Sequence, residues 1–242
     1  MKIKQWFAIV CGAAFVAGAT VANAQAGSAT ASVNVDGLIK VTSKDFDQVY
    51  LRPGTDFRSY TKVMLTPSQV VFSDRWLTEM NRHPIAVLQG TTATDADRIA
   101  ADVRSSLRKV FSDGFRSTGY EIVAAPGANV LGLSVNLTDL YINAPKTVTQ
   151  ALPSRVYTPE AGQATLVLEI RDAATGALLG RFIDKRTAGV RAAPRPGVRL
   201  TTQASNQFDF ESLFGLWAQN SIGELKTVSP LAMNAPAHPT PR

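Results

Sequence analysis

The apolar positions change period several times along the chain, and each change predicts an element. Residues 60–65 put Val63 and Leu65 on one face of a strand. Pro67 bends that strand or confines it to an edge, and residues 70–72 continue it. Residues 73–90 are irregular, with Trp76, Leu77 and Met80 forming a short helical turn. Residues 94–111 are the clearest helix, because Ile99, Val103, Leu107 and Val110 with Phe111 recur at threes and fours. Thr94 is its expected cap, and Asp95 and Asp97 lie in the first turn, where the helix dipole favours anions. Gly114 and Gly119 are expected to end it.

Residues 120–123 predict a short strand closed by Pro126-Gly127. Residues 130–142 predict a long one, with Leu131, Leu133, Val135 and Leu137 alternating with Gly132, Ser134, Asn136 and Thr138. The phase slips between Leu137 and Leu140, which predicts a bulge near Thr138-Asp139. Residues 144–160 and 188–202 read as proline-containing loops. Between them lies a hairpin: Ala164, Leu166, Leu168 and Ile170 alternate with polar or exposed positions, residues 172–176 turn the chain, and residues 179–186 return. Residues 206–226 close the sequence pattern as a helix whose inner stripe is Phe210, Leu213, Phe214, Trp217, Ala218 and Ser221. Strands joined mainly by short connections, with two main helices, predict an α+β fold. The expected sheet has four or five mostly antiparallel strands, with both helices packed on one face.

The ends read differently. Lys2 and Lys4 precede Trp6–Val21, an uncharged apolar run of 16 residues that is shorter than the ~20 needed to span a bilayer. Ala22-Asn23-Ala24 follows, so residues 1–24 are expected to be a signal peptide cleaved before Gln25. Cys11 does not make a lipobox, since Val10 and Ala8 stand where a small residue and Leu are wanted. Residues 25–35 form a small, polar leader. Residues 36–228 are expected to be one domain, and residues 229–242, with four prolines, a loose tail.

Composition narrows the chemistry. Apolar residues make up 45% and charged residues 18%, which excludes a disordered chain, and 17 glycines without a period exclude collagen. One Cys and two His exclude a disulfide scaffold and an ordinary Cys/His metal site. His83 and His238 have no Gly-x-Ser-x-Gly elbow to serve, and no Gly-x-Gly-x-x-Gly or P-loop occurs. Glu169, Asp172 and Asp184 on the hairpin are candidate acid/base carboxylates. Asp172 is better explained as a turn residue, Glu169 as a solvent-side neighbour of Arg171, and Asp184 as a strand end neutralised by Lys185 and Arg186. No catalytic, cofactor-binding or metal residue is assigned, and no cofactor is expected.

Three stretches carry a family resemblance. They are Val49-Tyr50-Leu51-Arg52-Pro53-Gly54 running into Tyr60-Thr61-Lys62-Val63; Glu169-Ile170-Arg171-Asp172-Ala173-Ala174-Thr175-Gly176 with Asp184-Lys185-Arg186; and Phe210-Glu211 with Trp217-Ala218. In that order and spacing they resemble the bacterial domain-of-unknown-function 3313 family, many of whose members are described as candidate lipoproteins. The resemblance covers most of residues 45–226. It implies an envelope location and no chemistry, and the missing lipobox sets this chain apart.

The formal net charge is +6. Its one uneven feature is residues 181–199, where six basic residues face Asp184 alone. Arg191, Arg195 and Arg199 are the candidate contact for an anionic envelope partner: lipid headgroups, lipopolysaccharide or an acidic protein. Aromatic residues are absent from residues 183–199 and the chain is expected to carry an export signal, so nucleic acid is not the expected partner. The sequence therefore predicts a periplasmic or secreted, non-catalytic binding or structural module of the cell envelope. A hydrolase working through carboxylates is the alternative.

Overall fold

Alternation is strictest after Val130, and that segment becomes the centre of the sheet. A computed structural model describes residues 36–82, 90–143, 156–189 and 199–227. Its strands are β1 (Ile39–Val41), β2 (Gln48–Leu51), β3 (Lys62–Leu65), β4 (Val70–Phe72), β5 (Glu121–Ile122), β6 (Val130–Ile142), β7 (Val156–Thr158), β8 (Gly162–Asp172), β9 (Leu178–Ala188) and β10 (Arg199–Thr201). The helices are α1 (Trp76–Met80), α2 (Ala93–Ser117) and α3 (Gln203–Thr227).

Eight strands share one sheet in the order β1-β2-β9-β8-β6-β3-β5, with β4 also paired to β6. The α+β class holds, but four or five strands is too few. The N-terminal pair β1 and β2 escapes periodicity because each is only three or four residues long. The ladder from β1 to β6 is antiparallel, as expected, whereas β3, β4 and β5 add in parallel. The chain from β3 to β5 passes through α2, and a helical crossover of that kind returns a strand parallel to the first. A second, two-stranded sheet pairs β7 with β10, inside the two segments read as loops. The remainder of those loops, residues 144–155 and 190–198, lies outside the described residues.

The bulge falls where the phase slip placed it. Asp139 has φ +51°, and the β6–β8 register shifts between Thr138 and Tyr141. Just past it Gly162 pairs with Ile142, and a Cβ there would lie 1.9 Å from the Tyr141 carbonyl oxygen. No other residue fits that approach.

Each long helix begins earlier than its apolar stripe. For α2 the cap is Thr92, not Thr94: its Oγ1 accepts from Asp95 N at 3.1 Å, while Asp95 Oδ2 accepts from Thr92 N at 3.0 Å. This reciprocal box satisfies two donors that a single cap would leave open. For α3, Thr202 and Ser205 exchange the same kind of bonds at 2.9 and 3.1 Å. Gly114 lies inside α2 rather than at its end, and Gly119, with φ +95°, follows the cap residue Thr118.

The buried alternation of β6 and β8 meets Leu107, Phe111 and Phe115 of α2 and Phe210, Leu213, Phe214, Trp217 and Ala218 of α3 in one apolar cluster. The α3 stripe is thus buried as expected, Ser221 included. Trp76 of α1 closes one end of this core, stacked on Phe72 at 4.0 Å and donating from Nε1 to the Ile142 carbonyl at 3.0 Å. Burying such rings stabilises by about 2–3 kcal/mol each.

Candidate functional site

Helices α2 and α3 run in the same direction and touch most closely at Gly114. A Cβ there would fall 3.2 Å from Ala218 Cβ. About two turns toward the N-termini, Ser106 Oγ donates to Glu211 Oε1 at 3.1 Å. Beyond that bridge the helices part, and a cleft of about 440 Å³ opens between them. Clefts that hold small molecules fall in the range of about 300–1,000 Å³.

Its floor is apolar: Ile99 and Val103 from α2, Phe210 and Phe214 from α3, and Ile142 at the end of β6. The rim carries hydroxyls and amides, among them Ser105, Gln203 and Gln207. Its cations are already paired along α2, Arg98 Nη2 with Asp95 Oδ1 at 3.1 Å and Lys109 Nζ with Asp113 Oδ2 at 2.8 Å. The Asp113 hydrogen bond raises the Lys109 pKa, and the Lys109 hydrogen bond lowers that of Asp113. Glu211 accepts from Ser106 and, at 3.0 Å, from Gln207 Nε2. The residues that make this site were read in the sequence only as helix and core. The usable signal was a helix pair with a glycine at one end of its contact and bulky residues at the other.

The hairpin carboxylates are spread apart rather than brought together. Glu169 lies between Arg181 at 2.8 Å and Arg171 at 3.0 Å. Burial pushes its carboxyl up, but the two guanidiniums outweigh this and hold it below the ordinary value. Asp172 caps its turn, with Oδ1 accepting from Thr175 N at 2.7 Å, and Oδ2 takes the Tyr60 hydroxyl at 2.8 Å. The Thr175 N–H first, then the Tyr60 hydroxyl, lower the Asp172 pKa. Burial, with that hydrogen bond, pushes Tyr60 up to about 12.

Asp184 pairs with Arg186, but it lies within β9 rather than at a strand end. It is 2% exposed on the inner face of β9. Its Oδ2 accepts from Trp217 Nε1 at 2.7 Å and from Arg186 Nε, and its Oδ1 accepts from Asp47 N at 3.2 Å. This carboxylate ties α3 to the sheet. Arg186 is thereby paired, and Arg181 binds both Glu169 and Asp36, so the basic stretch is partly neutralised. Of the proposed anionic contact, Arg191 and Arg195 lie outside the described residues, and Arg199 is placed by its backbone in β10. His83 and His238 also lie outside them. Among the described residues no three His, Cys, Asp or Glu side chains converge as a metal site.

A family model described as a protein of unknown function, DUF3313, matches residues 28–220. The chain belongs to the DUF3313 family. The stretches that carried the resemblance are mainly frame in this DUF3313 protein: Val49–Leu51 lie in β2, Arg52 Nε donates to the Leu178 carbonyl of β9 at 2.6 Å, and residues 172–176 form the β8–β9 turn. Phe210 and Glu211 also line the cleft. No curated protein matches the chain. Among solved structures, similarity extends to the PelC dodecamer from Paraburkholderia phytofirmans, at 14% identity over 71% of this chain and 96% of that one, with a TM-score of 0.33. A DUF330 protein from Xanthomonas campestris matches at 13% identity over 72% and 90%, with a TM-score of 0.32. A protein from Caulobacter crescentus CB15 described as a candidate lipoprotein matches at 20% over 56% and 87%, with a TM-score of 0.27.

Proposed function

We propose that this DUF3313 protein is an exported cell-envelope module that holds a small apolar ligand in the cleft between α2 and α3 without transforming it. The observation that carries this reading is an apolar floor of ligand size beneath a rim whose basic groups are already paired. A floor of Ile99, Val103, Phe210 and Phe214 draws apolar surface from water at about 25 cal/mol per Å². Acid/base chemistry needs a carboxylate free to change its proton near a reacting atom. Glu169, Asp172 and Asp184 are instead held by arginine, turn and tryptophan donors.

Export rests on Lys2, Lys4, the run from Trp6 to Val21 and Ala22-Asn23-Ala24. Among the described residues no helix is long and apolar enough to cross a membrane. Intact mass of the exported protein is expected to correspond to residues 25–242; an acylated chain starting at Cys11 would overturn this.

The cleft is tested with N-phenyl-1-naphthylamine, a neutral dye that fluoresces in apolar surroundings. The mature chain should enhance its emission, and Val103→Trp, which fills the floor, should abolish the effect while leaving the circular dichroism unchanged. Ser105→Trp, on the exposed rim, serves as a second blocking variant. Enhancement that survives both substitutions would place the binding elsewhere and remove the proposal.

A further inference from the structure

The protein is basic overall, yet the mouth of its cleft is not. Arg98 and Lys109 are the cations there, and each is committed to a carboxylate within one turn on its own helix, Asp95 and Asp113. Glu211, at the narrow end, is bound by Ser106 and Gln207. That leaves Asp102, exposed on the α2 rim between Arg98 and Lys109, with no ion pair to any described residue. The lining thus carries Arg98 and Lys109 against Asp102 and Glu211, and with the partners outside it Arg98, Lys109 and Arg116 stand against Asp95, Asp102, Asp113 and Glu211. The other basic residues of α2 do not correct this balance. Arg108 turns to the sheet, where its Nη1 donates to the Leu65 carbonyl at 2.8 Å, and Arg104 is not part of the lining.

We infer that the cleft selects an alkyl chain with a cationic head over the same chain with a carboxylate head, and that Asp102 is the residue that reads the head. The inference rests on the cleft being the binding site proposed above. The chain would lie along Ile99, Val103, Phe210 and Phe214, and the head would meet Asp102 at the solvent edge. An anionic head would have to share Arg98 with Asp95 or Lys109 with Asp113, and would face Asp102 meanwhile. A cationic head breaks nothing.

The size of the effect is modest because Asp102 is exposed. An exposed ion pair gives about a two- to fivefold preference. Attraction for one head and repulsion of the other together amount to about tenfold.

The experiment displaces bound N-phenyl-1-naphthylamine from the mature chain with decylammonium, decyl glucoside and decanoate, all below their micelle thresholds at neutral pH and low salt. Decylammonium should displace at about one-tenth the concentration of decanoate, with the uncharged glucoside between them. Asp102→Asn should reduce that ratio to about threefold or less when each displacement is referred to the variant's own dye affinity, and 0.5 M salt should do the same by screening. Equal potency of the charged competitors, or a ratio indifferent to Asp102→Asn, overturns the inference. If dye binding in that case is still lost in Val103→Trp, the cleft stands as the binding site and only the head preference falls. If the dye does not bind at all, both readings fall.

Discussion

Trp217 is fully buried, and its ring and its N–H act on different partners. The ring stacks near Phe214 at 6.1 Å, while Nε1 donates to Asp184. Trp217→Ala removes both and is expected to cost about 3–5 kcal/mol. Trp217→Phe keeps most of the packing and removes one donor from a buried carboxylate, for about 1–3 kcal/mol. Urea unfolding of the two variants separates the contributions, and a Phe variant as stable as the parent would show that the hydrogen bond contributes nothing. The inward spacing of Trp217 was legible in the sequence. Its partner was not, because a carboxylate beside Lys185 and Arg186 reads as a strand end already neutralised by them. Phe182 and Asp184 share the inner face of β9, so the period of two held the missing signal. Glu169 gives a pH test at the same scale. Its folded pKa is depressed, so its contribution is present above its unfolded value near ~4.3 and is lost as pH falls through the folded value. Glu169→Gln should therefore lower stability at neutral pH and flatten the fall in stability below about pH 4.

For the helices, the stripes were readable and the pair's geometry was not. Periodicity showed which faces of α2 and α3 are buried, yet both start before their first apolar residue, because reciprocal hydrogen bonding at Thr92–Asp95 and Thr202–Ser205 extends them. Gly114 read as a stop, since a glycine near the end of a stripe usually is one. Its position against Ala218 shows that missing side-chain volume serves helix contact instead. Gly114→Val should therefore destabilise by about 1–3 kcal/mol through overpacking. It should also push the helices apart and widen the cleft, so dye affinity should change along with the midpoint of thermal unfolding. A variant with unchanged stability would show that the contact tolerates a side chain.

Across the whole molecule, charge and topology were legible to different depths. The positive net charge is a sum, and it conceals a cleft mouth whose cations are paired and arginines already paired on the sheet. Arg191, Arg195 and Arg199 remain our proposed contact for an anionic envelope surface. The mature protein should bind anionic vesicles at low salt and release as salt rises, and changing all three to Ser should remove most of that binding, read by vesicle sedimentation. Equal binding by the triple variant would return the segment to ordinary solvated surface. The central hairpin and β6 were legible because long alternating runs leave little ambiguity. Strands of three or four residues such as β1, β2, β7 and β10 are fixed by their partners rather than by their own pattern.

The ladder that joins β2 to β9 also sets an order in time. Gln48 pairs with Ile183, and Leu51 with Gly180, so the β1–β2 pair cannot join the rest of the sheet until almost all of it has been synthesised. Pairings this distant slow folding toward the millisecond-to-second range, because the loop must close before any contact rewards it. Until then Val49 and Leu51 stay exposed, and the nascent chain remains open. A polypeptide that finishes its sheet so late would stay threadable, which suits the export we propose for it.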